Sequence, residues 1–588
     1  MEKEVKKLPI KPSAAITKIL FSGDDIFELK KNEKIIIVGP NNSGKSQALR
    51  EVLNICKTGN TKQTLVIKNL IITKEGGTSK QLQEFLESNA KYENDSYILQ
   101  DWRFPKHQIN FWDQPYLKAK LSNGYIKNIT TQDRLIICDQ QHSISPGEQK
   151  NKPQHILYDD SSMMGKISDL FRNAFGEDLI FDFRGGSKLP IHIGQLSEFK
   201  KLADRVSNEY VTKVRKLPLL DQQGDGMKSY AGILFESIVN PLDITLIDEP
   251  EAFLHPPQMR RLGETLASEV KGQLFVATHS SDILKGFLEG TEGKVRIFRI
   301  TREKNVNVVK EASSDTIKEL WEKPVLKYSN ALDGIFHDQT IICEDDSDCK
   351  LINCMADHLS SKSQDQWLDT SYVPTGGKQA ISKIASVLRK VGVPVKAVFD
   401  IDFLFEKPVV KETVEAFGGE WNEIETLWTR LDLEIRKGVK SKSNTEIKDE
   451  IIKIIYNSKE DSLPKSDIRD ALKQDKPWNE VKRFGNIAIP KGDAQKNYRE
   501  LINKLEEIGI YLIPVGEIEN FSRDIGLHGP KFVAKLLSSK KMDDSSLSEL
   551  QEFVKRIHTG AHCKFKTESN FQKRLEELRL KKKTNSKR

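Results

Sequence analysis

The chain has 588 residues, with 92 Lys and Arg against 85 Asp and Glu, which gives a formal net charge of +7. At roughly 100–200 residues per domain, this length excludes one compact core and argues for about three or four domains, or two with large insertions. Hydrophobic residues make up 37% and charged residues 30%, a balance that excludes wholesale disorder. No stretch approaches about 18 apolar residues and the N-terminus has no apolar secretory segment, so we expect a cytoplasmic protein without a membrane span.

The six cysteines are scattered, without a CxxC pair and without histidine at zinc-ligand spacing, so neither structural zinc nor a disulfide framework is expected. The mild positive charge permits nucleic-acid binding but does not demonstrate it, because bulk charge says nothing of its placement. The densest basic run lies in a C-terminal helical segment, 541–588, which is either a solvated tail or an arm that contacts phosphates.

Two stretches have the pattern of parallel α/β domains, in which short apolar runs alternate with helical segments. In the first domain, placed at 1–325, strands are predicted at 34–38, 243–250 and 272–280, and helices from Ser46 and over 258–271. In the second domain, placed at 326–540, strands are predicted at 340–345, 371–375, 395–402 and 510–516, and a helix over 379–392. The fold class is therefore α/β. A dimerisation insertion is a candidate at about 155–215, and charged helical segments predict a helical insertion at about 405–495.

The motif GPNNSGKS, which begins at Gly39, fits the phosphate-loop pattern G-x-x-x-x-G-K-[ST] between a predicted strand and a predicted helix. Glycines allow backbone N–H groups to curl around phosphates, so Gly39, Asn42 and Gly44 are expected to form the cradle. We expect Lys45 to neutralise the β/γ oxygens and the Ser46 hydroxyl to ligate Mg²⁺. This context predicts an ATP site.

An acidic pair follows the apolar run ITLI. The end of a strand there would direct the carboxylate of Asp248 toward the metal and that of Glu249 toward the attacking water. His279 stands at the end of the run FVAT. Alone, the pair could be surface and the histidine structural, but together with the phosphate loop they predict an ATPase.

The order of these motifs, with GDGMKS at 224–229 and EPEAFLHP after Asp248, resembles the ABC-type ATPase heads of the RecF/SMC/OLD group. In that group two heads sandwich ATP, so the resemblance implies a dimer. It also implies residue roles: Asp248 holds Mg²⁺, Glu249 is the base, His279 is the switch histidine, and Gly226 with Ser229 forms the signature that contacts the γ-phosphate of the other head.

Two details of this site stay open. The signature reads QGDGMKS instead of the transporter pattern LSGGQ, so the residue that contacts the γ-phosphate is undecided. The Q-loop glutamine is also undecided, and Gln140 and Gln141, which follow the apolar run RLIIC, are candidates for it.

A second group of acids lies at predicted strand ends of the second domain. Glu344 closes the strand TIIC, Asp348 lies one helical turn later, and Asp400 and Asp402 follow KAVF. Alternation along a strand would put Asp400 and Asp402 on one face, and the carboxyl ends of parallel strands are where such folds bind ligands. Carboxylates of this kind suit Mg²⁺ or Mn²⁺, although a single DxD is a weak signal.

Glu and Asp followed by DxD on successive strand ends resemble the TOPRIM domain of topoisomerases, primases and OLD-family nucleases. The usual glycine after the first glutamate is Asp345 here, which alters the loop or adds a ligand. The segment TGGK at 375–378 follows a strand and opens a helix, so its backbone either receives a phosphate or forms an ordinary tight turn. No companion domain of a topoisomerase or a primase is visible.

An ABC-type head followed by a TOPRIM domain resembles the OLD (overcoming lysogenization defect) family, which includes the Gabija nuclease subunit, and the resemblance covers nearly the whole chain. It implies that five acids bind two divalent ions, Mg²⁺ or Mn²⁺: Glu344, Asp348, Asp400, Asp402 and Glu519. Glu517 is the second choice for the last acid. The family also implies a lysine that stabilises the scissile phosphate, with Lys531 as the first choice and Lys535 as the second.

The resemblance implies an ATP-regulated, divalent-metal-dependent DNA endonuclease of bacterial anti-phage defence, acting as a homodimer or a larger homo-oligomer. OLD-type nucleases often act beside a second component, such as a UvrD-like helicase or a retron reverse transcriptase with its DNA. The alternative is an ATP-gated DNA-binding scaffold or sensor without cleavage activity. The complete acid set favours the nuclease.

Overall fold

The structure is a computed structural model that describes residues 9–145, 148–195, 205–303, 306–313, 316–317, 322, 330–364, 367–437, 444–457, 468 and 478–565. The chain divides into two compact units that meet in sequence between Phe336 and His337, whereas the predicted domain boundary lies at 325. Within the described ranges, no helix is both long and apolar enough to cross a membrane.

The first unit is a mixed α/β structure. Its strands are β1 (Ser13–Phe21), β2 (Ile26–Glu28), β3 (Lys34–Val38), β4 (Ile67–Glu75), β5 (Lys91–Glu93), β6 (Ser96–Leu99), β7 (Trp102–Pro105), β8 (Ile126–Ile129), β9 (Gln141–His142), β10 (Asp178–Phe181), β11 (Lys188–Leu189), β12 (Ile191–Gly194), β13 (Ile244–Asp248), β14 (Gln273–Ala277), β15 (Arg296–Glu303) and β16 (Val306–Glu311). Its α-helices are Lys45–Thr58, Ser79–Asn89, Thr131–Ile136, Pro153–Asp159, Ser161–Phe175, Asn208–Val214, Asp225–Leu234, Pro256–Glu269 and Ser281–Gly290.

A six-stranded sheet positions the first site. Its order is β16-β15-β3-β14-β13-β8, and every neighbouring pair is parallel except β15 with β16. The central strands are short, apolar and almost wholly buried, as expected for a parallel sheet covered on both faces. The strands predicted at 34–38, 243–250 and 272–280 are confirmed as β3, β13 and β14. Because these strands are parallel, their carboxyl ends lie at one edge of the sheet.

The segment predicted as an insertion, 155–215, contains two helices and an antiparallel pair, β10 with β12, followed by the helix Asn208–Val214. Residues 196–204 of this segment lie outside the described residues. Its role in dimerisation stays a prediction.

The second unit is built on a four-stranded parallel sheet. Its strands are β17 (Gln339–Cys343), β18 (Thr370–Pro374), β19 (Val395–Phe399) and β20 (Ile510–Leu512), in the order β18-β17-β19-β20. Its α-helices are Asp346–Lys362, Lys378–Lys390, Lys407–Ala416, Trp421–Lys437, Asn444–Asn457, Asn479–Phe484, Asp493–Glu506, Gly529–Ser539 and Ser548–Thr559. The predicted helical insertion is therefore helical where it is described, and 438–443, 458–467 and 469–477 lie outside the described residues.

The prediction that a strand carries both acids of the DxD motif is wrong. β19 ends at Phe399, and Asp402 lies in the short 3-10 helix Ile401–Phe405. The chain turns where the amide of Ile401 donates to the Gly516 carbonyl at 2.9 Å, beyond the last β19–β20 pair, Phe399 with Leu512. Proximity of the two carboxylates therefore comes from this turn and not from strand alternation.

The C-terminal segment, 541–588, was predicted to be a separate helical region, but its described part packs against the second unit. The helix Ser548–Thr559 buries its apolar face in the core of the second unit, together with the helix Asp346–Lys362. An amphipathic helix of this kind is retained by its buried stripe. Residues 566–588, with the densest basic run, lie outside the described residues.

Two glycines allow the helix Asn479–Phe484 to approach the segment that follows β20. Gly516 has a φ of +104°, and an added Cβ would lie 2.1 Å from the Lys482 carbonyl oxygen. Gly485 has a φ of +73°, and its added Cβ would lie 2.2 Å from the Pro514 carbonyl oxygen. Only glycine tolerates both the conformation and the contact.

Replacing Gly516 with alanine should destabilise the second unit more than Gly526→Ala. Gly526 also has a positive φ, +64°, but an added Cβ there meets no atom within 4 Å. We expect a cost of about 1–2 kcal/mol from backbone strain at either position, and about 1–3 kcal/mol more from overpacking at Gly516. Urea unfolding followed by circular dichroism measures both losses, and equal losses would contradict the close-approach argument.

Candidate functional site

The phosphate loop of the first unit connects β3 to the helix Lys45–Thr58. Gly39, Asn42 and Gly44 all have positive φ, at +141°, +59° and +100°. Such conformations curl the backbone so that its N–H groups face a common point. An added Cβ on Gly39 would lie 2.1 Å from the Ile300 carbonyl oxygen, so the start of the loop accepts only glycine.

The side chains of this loop meet the end of β13. Ser46 Oγ donates a hydrogen bond to Asp248 Oδ1 at 2.9 Å. Lys45 is buried, and its Nζ donates to the carbonyl oxygens of Gly39 at 2.8 Å and Pro40 at 2.7 Å. The structure therefore brings together the hydroxyl and the carboxylate from which a nucleotide-bound Mg²⁺ would be held.

The charges at this edge share a poorly solvated environment. Burial raises the pKa of Asp248, against the hydrogen bond from Ser46. Burial lowers the pKa of Lys45 to about 8, although the carboxylates of Glu249 and Asp248 oppose the shift. Burial and the Lys45 ammonium together lower the pKa of His279. The charges of Lys45, Asp248 and His279 affect one another's pKa values, so these predicted ATPase residues lie close together.

Glu249 is held by its backbone. It has a left-handed φ of +47°, its amide donates to the Ala277 carbonyl at 2.9 Å, and its carbonyl accepts Arg134 Nη2 at 2.9 Å. Arg134 is fully buried on the helix Thr131–Ile136. Sequence reasoning missed this arginine, because a charged residue on a short helix is expected to lie at the protein surface.

Glu251 is a second residue that sequence reasoning missed. Its Oε1 accepts the His279 amide at 2.6 Å, and its Oε2 accepts Thr278 Oγ1 at 2.9 Å. The carboxylate therefore fixes the turn that carries His279. The motif DEPE, with a second acid soon after the first pair, was the available signal.

The predicted signature residues lie on the helix Asp225–Leu234. Gly226 is in its first turn, where an added Cβ would lie 2.6 Å from the Phe253 carbonyl oxygen. Ser229 is fully buried, whereas Gly226 is partly exposed. Of the two predicted signature residues, Gly226 is therefore the one at the surface of the first unit.

The two predicted Q-loop residues lie away from the central strand ends. Gln140 Nε2 donates to Asp221 Oδ2 at 2.8 Å, and Gln141 pairs with Leu189 between β9 and β11. By contrast, β8 is the neighbour of β13, with Ile129 opposite Ile247. Gln132 follows the end of β8 and is the glutamine that the topology brings to this edge.

The second unit gathers its predicted acids at the carboxyl ends of β17, β19 and β20. Glu344 Oε1 accepts the Asp400 amide at 3.3 Å, and Asp348 Oδ2 accepts the Asp345 amide at 3.1 Å. Asp345, which replaces the family's glycine, is exposed and precedes the helix Asp346–Lys362. It acts as part of the helix start rather than as a member of the buried cluster.

The pKa shifts in the second unit define one carboxylate cluster. Burial and the charge of Asp402 raise the pKa of Glu344 to about 7. Burial raises the pKa of Asp348 to about 7, with contributions from the carboxylates of Asp345 and Glu519. The pKa of Asp400 is raised well above its usual range, first by burial and then by its acidic neighbours. Like charges that repel one another at a poorly solvated site favour a bound cation.

Glu517 and Glu519 complete the cluster after β20. Their carboxylates and the imidazole of His528 offer three ligand atoms within 4.8 Å of one another. Glu519 Oε1 accepts the amide of Gly529 at 2.7 Å, and His528 is largely exposed. Both glutamates, the first and the second choice from sequence, therefore lie at the cluster, and His528 is a neighbour that sequence reasoning missed.

Two lysines from other elements contact the cluster. Lys482 Nζ lies 2.8 Å from Asp402 Oδ2 and 3.0 Å from Glu517 Oε1. Burial lowers its pKa, but the hydrogen bonds and charges of Asp402 and Glu517 outweigh that effect and raise it overall. Lys378 Nζ lies 3.4 Å from Asp402 Oδ1. Asp402 is thereby fixed from two sides.

The lysines chosen from the sequence lie elsewhere. Lys531 and Lys535 are exposed on the helix Gly529–Ser539, and in the part of the chain that the structure describes neither ammonium forms an ion pair. Their roles stay predictions. Lys482 could not be found from the sequence, because it lies in the helical insertion and far from the acids along the chain.

The segment at 375–378 is a tight turn. The amides of Gly376 and Gly377 donate to the Glu344 carbonyl at 2.9 and 3.1 Å. These amides hold the strand end that carries Glu344, so they do not form a phosphate cradle. The oxygen-only donor set of the neighbouring acids fits a hard divalent cation such as Mg²⁺ or Mn²⁺.

Two family models match the chain. Residues 165–285 match AAA_21, described as "AAA domain, putative AbiEii toxin, Type IV TA system". Residues 335–402 match the OLD-like TOPRIM model, described as "Overcoming lysogenization defect protein-like, TOPRIM domain". No curated protein matches the chain.

Solved structures that match part of the chain include SMC head domains. The Smc head bound to the C-terminal winged-helix domain of ScpA is 13% identical over 51% of this chain and 98% of its own, with a TM-score of 0.31. The Pyrococcus furiosus Smc head bound to ScpA is 12% identical over 53% and 99%, with a TM-score of 0.30. The Thermotoga maritima SMC head is 12% identical over 52% and 100%, with a TM-score of 0.28.

The fold and the two matches define an α/β protein in which an ATPase domain precedes a TOPRIM domain. Their order on one chain supports a nuclease of the OLD family, as the motifs indicate. The predicted fold class is confirmed.

The raised pKa values predict metal binding that is linked to proton release. At pH 6 Glu344 and Asp348 are mainly protonated, and at pH 8 they are mainly ionised, the form that binds a cation. Mn²⁺ affinity should therefore increase from pH 6 to pH 8, and calorimetry in buffers of different ionisation enthalpy should detect released protons. Glu344→Gln should flatten this dependence. Equal affinity of the unmodified protein at both pH values would contradict the assignment.

Lys482→Met should strengthen metal binding. The ammonium group competes with a cation for Asp402 and Glu517, so its loss should tighten Mn²⁺ binding about fivefold, equivalent to about 1 kcal/mol. Electron paramagnetic resonance titration measures free Mn²⁺ directly. Lys491→Met is the matched control, since Lys491 is exposed and, among the described residues, forms no ion pair. Weaker binding in Lys482→Met would show that the lysine does not compete.

Proposed function

We propose that this protein is an ATP-regulated, divalent-metal-dependent DNA endonuclease that acts in bacterial defence against phage. The observation that carries the proposal is the cluster of half-buried, mutually repelling carboxylates at the carboxyl ends of β17, β19 and β20. Its position in a domain that matches the OLD-like TOPRIM model supports phosphodiester hydrolysis. Binding of Mg²⁺ or Mn²⁺ would offset the repulsion.

Five acids would hold the divalent ions, Glu344, Asp348, Asp400, Asp402 and Glu519, and Glu517 is a further candidate. Such ions supply an activated water and stabilise the leaving 3′ oxygen. The chain's own contribution is orientation, because backbone amides fix Glu344 and Asp348 while Lys378 and Lys482 fix Asp402. The exposed ammonium of Lys531 is proposed to contact the scissile phosphate.

ATP is proposed to bind at the phosphate loop of the first unit and to join two heads into a homodimer. Lys45 and Ser46 would bind the phosphates and Mg²⁺, Asp248 would hold the metal, and Glu249 would act as base. His279, fixed through Glu251, would sense the γ-phosphate. The contact of Ser46 with Asp248 and the order of motifs support this assignment.

Nucleotide-driven closure of two heads would gate entry of DNA to the nuclease. Gly226, in the first turn of its helix, is the proposed contact of one head with the nucleotide of the other, and Gln132 is proposed as the Q-loop residue. A defence role in the cytoplasm, beside a helicase or a retron reverse transcriptase with its DNA, rests on the family resemblance. The neighbouring genes would identify that partner.

The purified protein should nick supercoiled plasmid in Mg²⁺ or Mn²⁺, and EDTA should abolish the activity. Glu344→Ala and the double variant Asp400→Ala, Asp402→Ala should lose cleavage by at least about a hundredfold, because each removes proposed metal ligands. Lys45→Ala should lose ATP binding, and its cleavage with and without ATP reports whether nucleotide gates the nuclease. Agarose-gel conversion of supercoiled to open-circular DNA gives the rate.

Lys491→Ala, at an exposed position that forms no ion pair among the described residues, should cleave like the unmodified protein. Cleavage that persists in the double aspartate variant would refute the proposed metal site. ATP hydrolysis without cleavage in any metal-containing sample would favour the alternative function of an ATP-gated DNA-binding scaffold.

A further inference from the structure

An exposed aromatic side chain lies beside the carboxylate cluster. The helix Asn479–Phe484 directs Lys482 to Asp402 and Glu517, and it ends two residues later at Phe484, which is 38% exposed. Most large apolar side chains of this unit are buried instead. An aromatic residue exposed next to proposed metal ligands therefore requires a reason other than core packing.

Two arginines flank this ring. The guanidinium carbon of Arg483 lies 5.1 Å from the centroid of Phe484, and that of Arg523 lies 5.7 Å from it. Arg523 comes from the segment after β20, and its Nη2 donates to the Arg483 carbonyl at 3.5 Å. Both arginines are exposed, and across the ranges described here neither forms an ion pair with a carboxylate. Their positive charge is therefore available to an anionic ligand.

The position of this group relative to the cluster is fixed by packing. Gly485 and Gly516 allow the end of the helix to contact the segment that carries Glu517. Asn520 Nδ2 donates to the Val515 carbonyl at 3.0 Å and to the Arg483 carbonyl at 3.3 Å. These contacts hold the aromatic ring and the two guanidinium groups on the same two segments that carry Lys482 and Glu517.

We propose that Phe484, Arg483 and Arg523 form a stacking platform for an unpaired DNA base next to the scissile phosphate. A ring flanked by guanidinium groups offers planar surfaces on which any base can stack, and the arginines attract the adjacent phosphates. A base in a duplex has both faces covered by its neighbours, so the platform binds only bases that are single-stranded or displaced from the helix. This inference rests on the proposed nuclease function and specifies its substrate class as DNA with unpaired nucleotides.

Another exposed aromatic side chain of the second unit lacks these features. Tyr456, on the helix Asn444–Asn457, is 89% exposed and belongs to the same unit. No cation is found over its ring among the described residues. It therefore serves as a matched aromatic control outside the platform.

The test compares binding of the full-length protein to a fluorescent single-stranded oligonucleotide of mixed sequence and to its duplex, in EDTA so that hydrolysis does not interfere. Phe484→Ala should weaken single-strand binding about tenfold, within the range expected for loss of one stacked base, and should affect the duplex much less. Phe484→Trp should restore single-strand binding. Tyr456→Ala should bind both DNAs like the unmodified protein, and circular dichroism verifies folding.

A second measurement uses single-stranded DNA with 2-aminopurine, whose fluorescence is quenched on stacking. Binding to the unmodified protein should change its emission, and Phe484→Ala should lose that change. Unaltered single-strand affinity in Phe484→Ala, or equal losses for both DNAs, would overturn the platform even if plasmid nicking is intact. Absence of nicking with single-strand binding that depends on Phe484 would instead refute the nuclease proposal and leave the platform standing.

Discussion

Negative charge gathered at the carboxyl ends of parallel strands is the constraint on which the second unit depends. Glu344, Asp348 and Asp400 lie half-buried at these strand ends, and desolvation with repulsion from neighbouring carboxylates raises the pKa of each. The fold tolerates this cost because backbone amides and two lysines contact the acids. The repulsion that destabilises the ionised carboxylates would also favour binding of a divalent cation, because the cation offsets their negative charge.

In the first unit the site also lies at the carboxyl ends of parallel strands, but there a lysine lies beside the carboxylates. Lys45 and Asp248 lie near each other, and the Ser46 hydroxyl contacts the carboxylate directly. The buried Arg134 and the half-buried Glu251 contact backbone atoms of Glu249 and His279 and so fix their conformations. The residues proposed for the ATP site are therefore positioned partly by side chains from other elements.

The helical insertion of the second unit supplies a residue that contacts the carboxylate cluster. Its last described short helix brings Lys482 into the acid cluster, and the left-handed glycines Gly485 and Gly516 make that approach possible. Because the insertion and the segment after β20 are tied together by these contacts, the surface next to the acids is formed by two distant parts of the chain. Insertions of this kind change the substrate surface while the sheet and its acids are retained.

The correspondence between sequence and structure is close where a pattern is local. The phosphate loop, the buried strands and the acids at their ends follow from short motifs whose geometry is set by neighbouring residues. The strand alternation expected for Asp400 and Asp402 was wrong, because the end of a strand depends on its hydrogen-bonding partner, here the Gly516 carbonyl. The burial of Ser229 likewise depends on packing within the first unit, which a motif does not encode.

The sequence by itself therefore determined the α/β class, the order of an ATPase domain and a TOPRIM domain, and the acids that end the strands. Only the tertiary structure decided which cations contact those acids and that the exposed ring of Phe484 lies close to two arginines. The physical reason is separation along the chain. A hydrogen bond or ion pair between residues tens to hundreds of positions apart leaves no local periodicity or spacing, and it forms only when the sheet and the insertion are folded together.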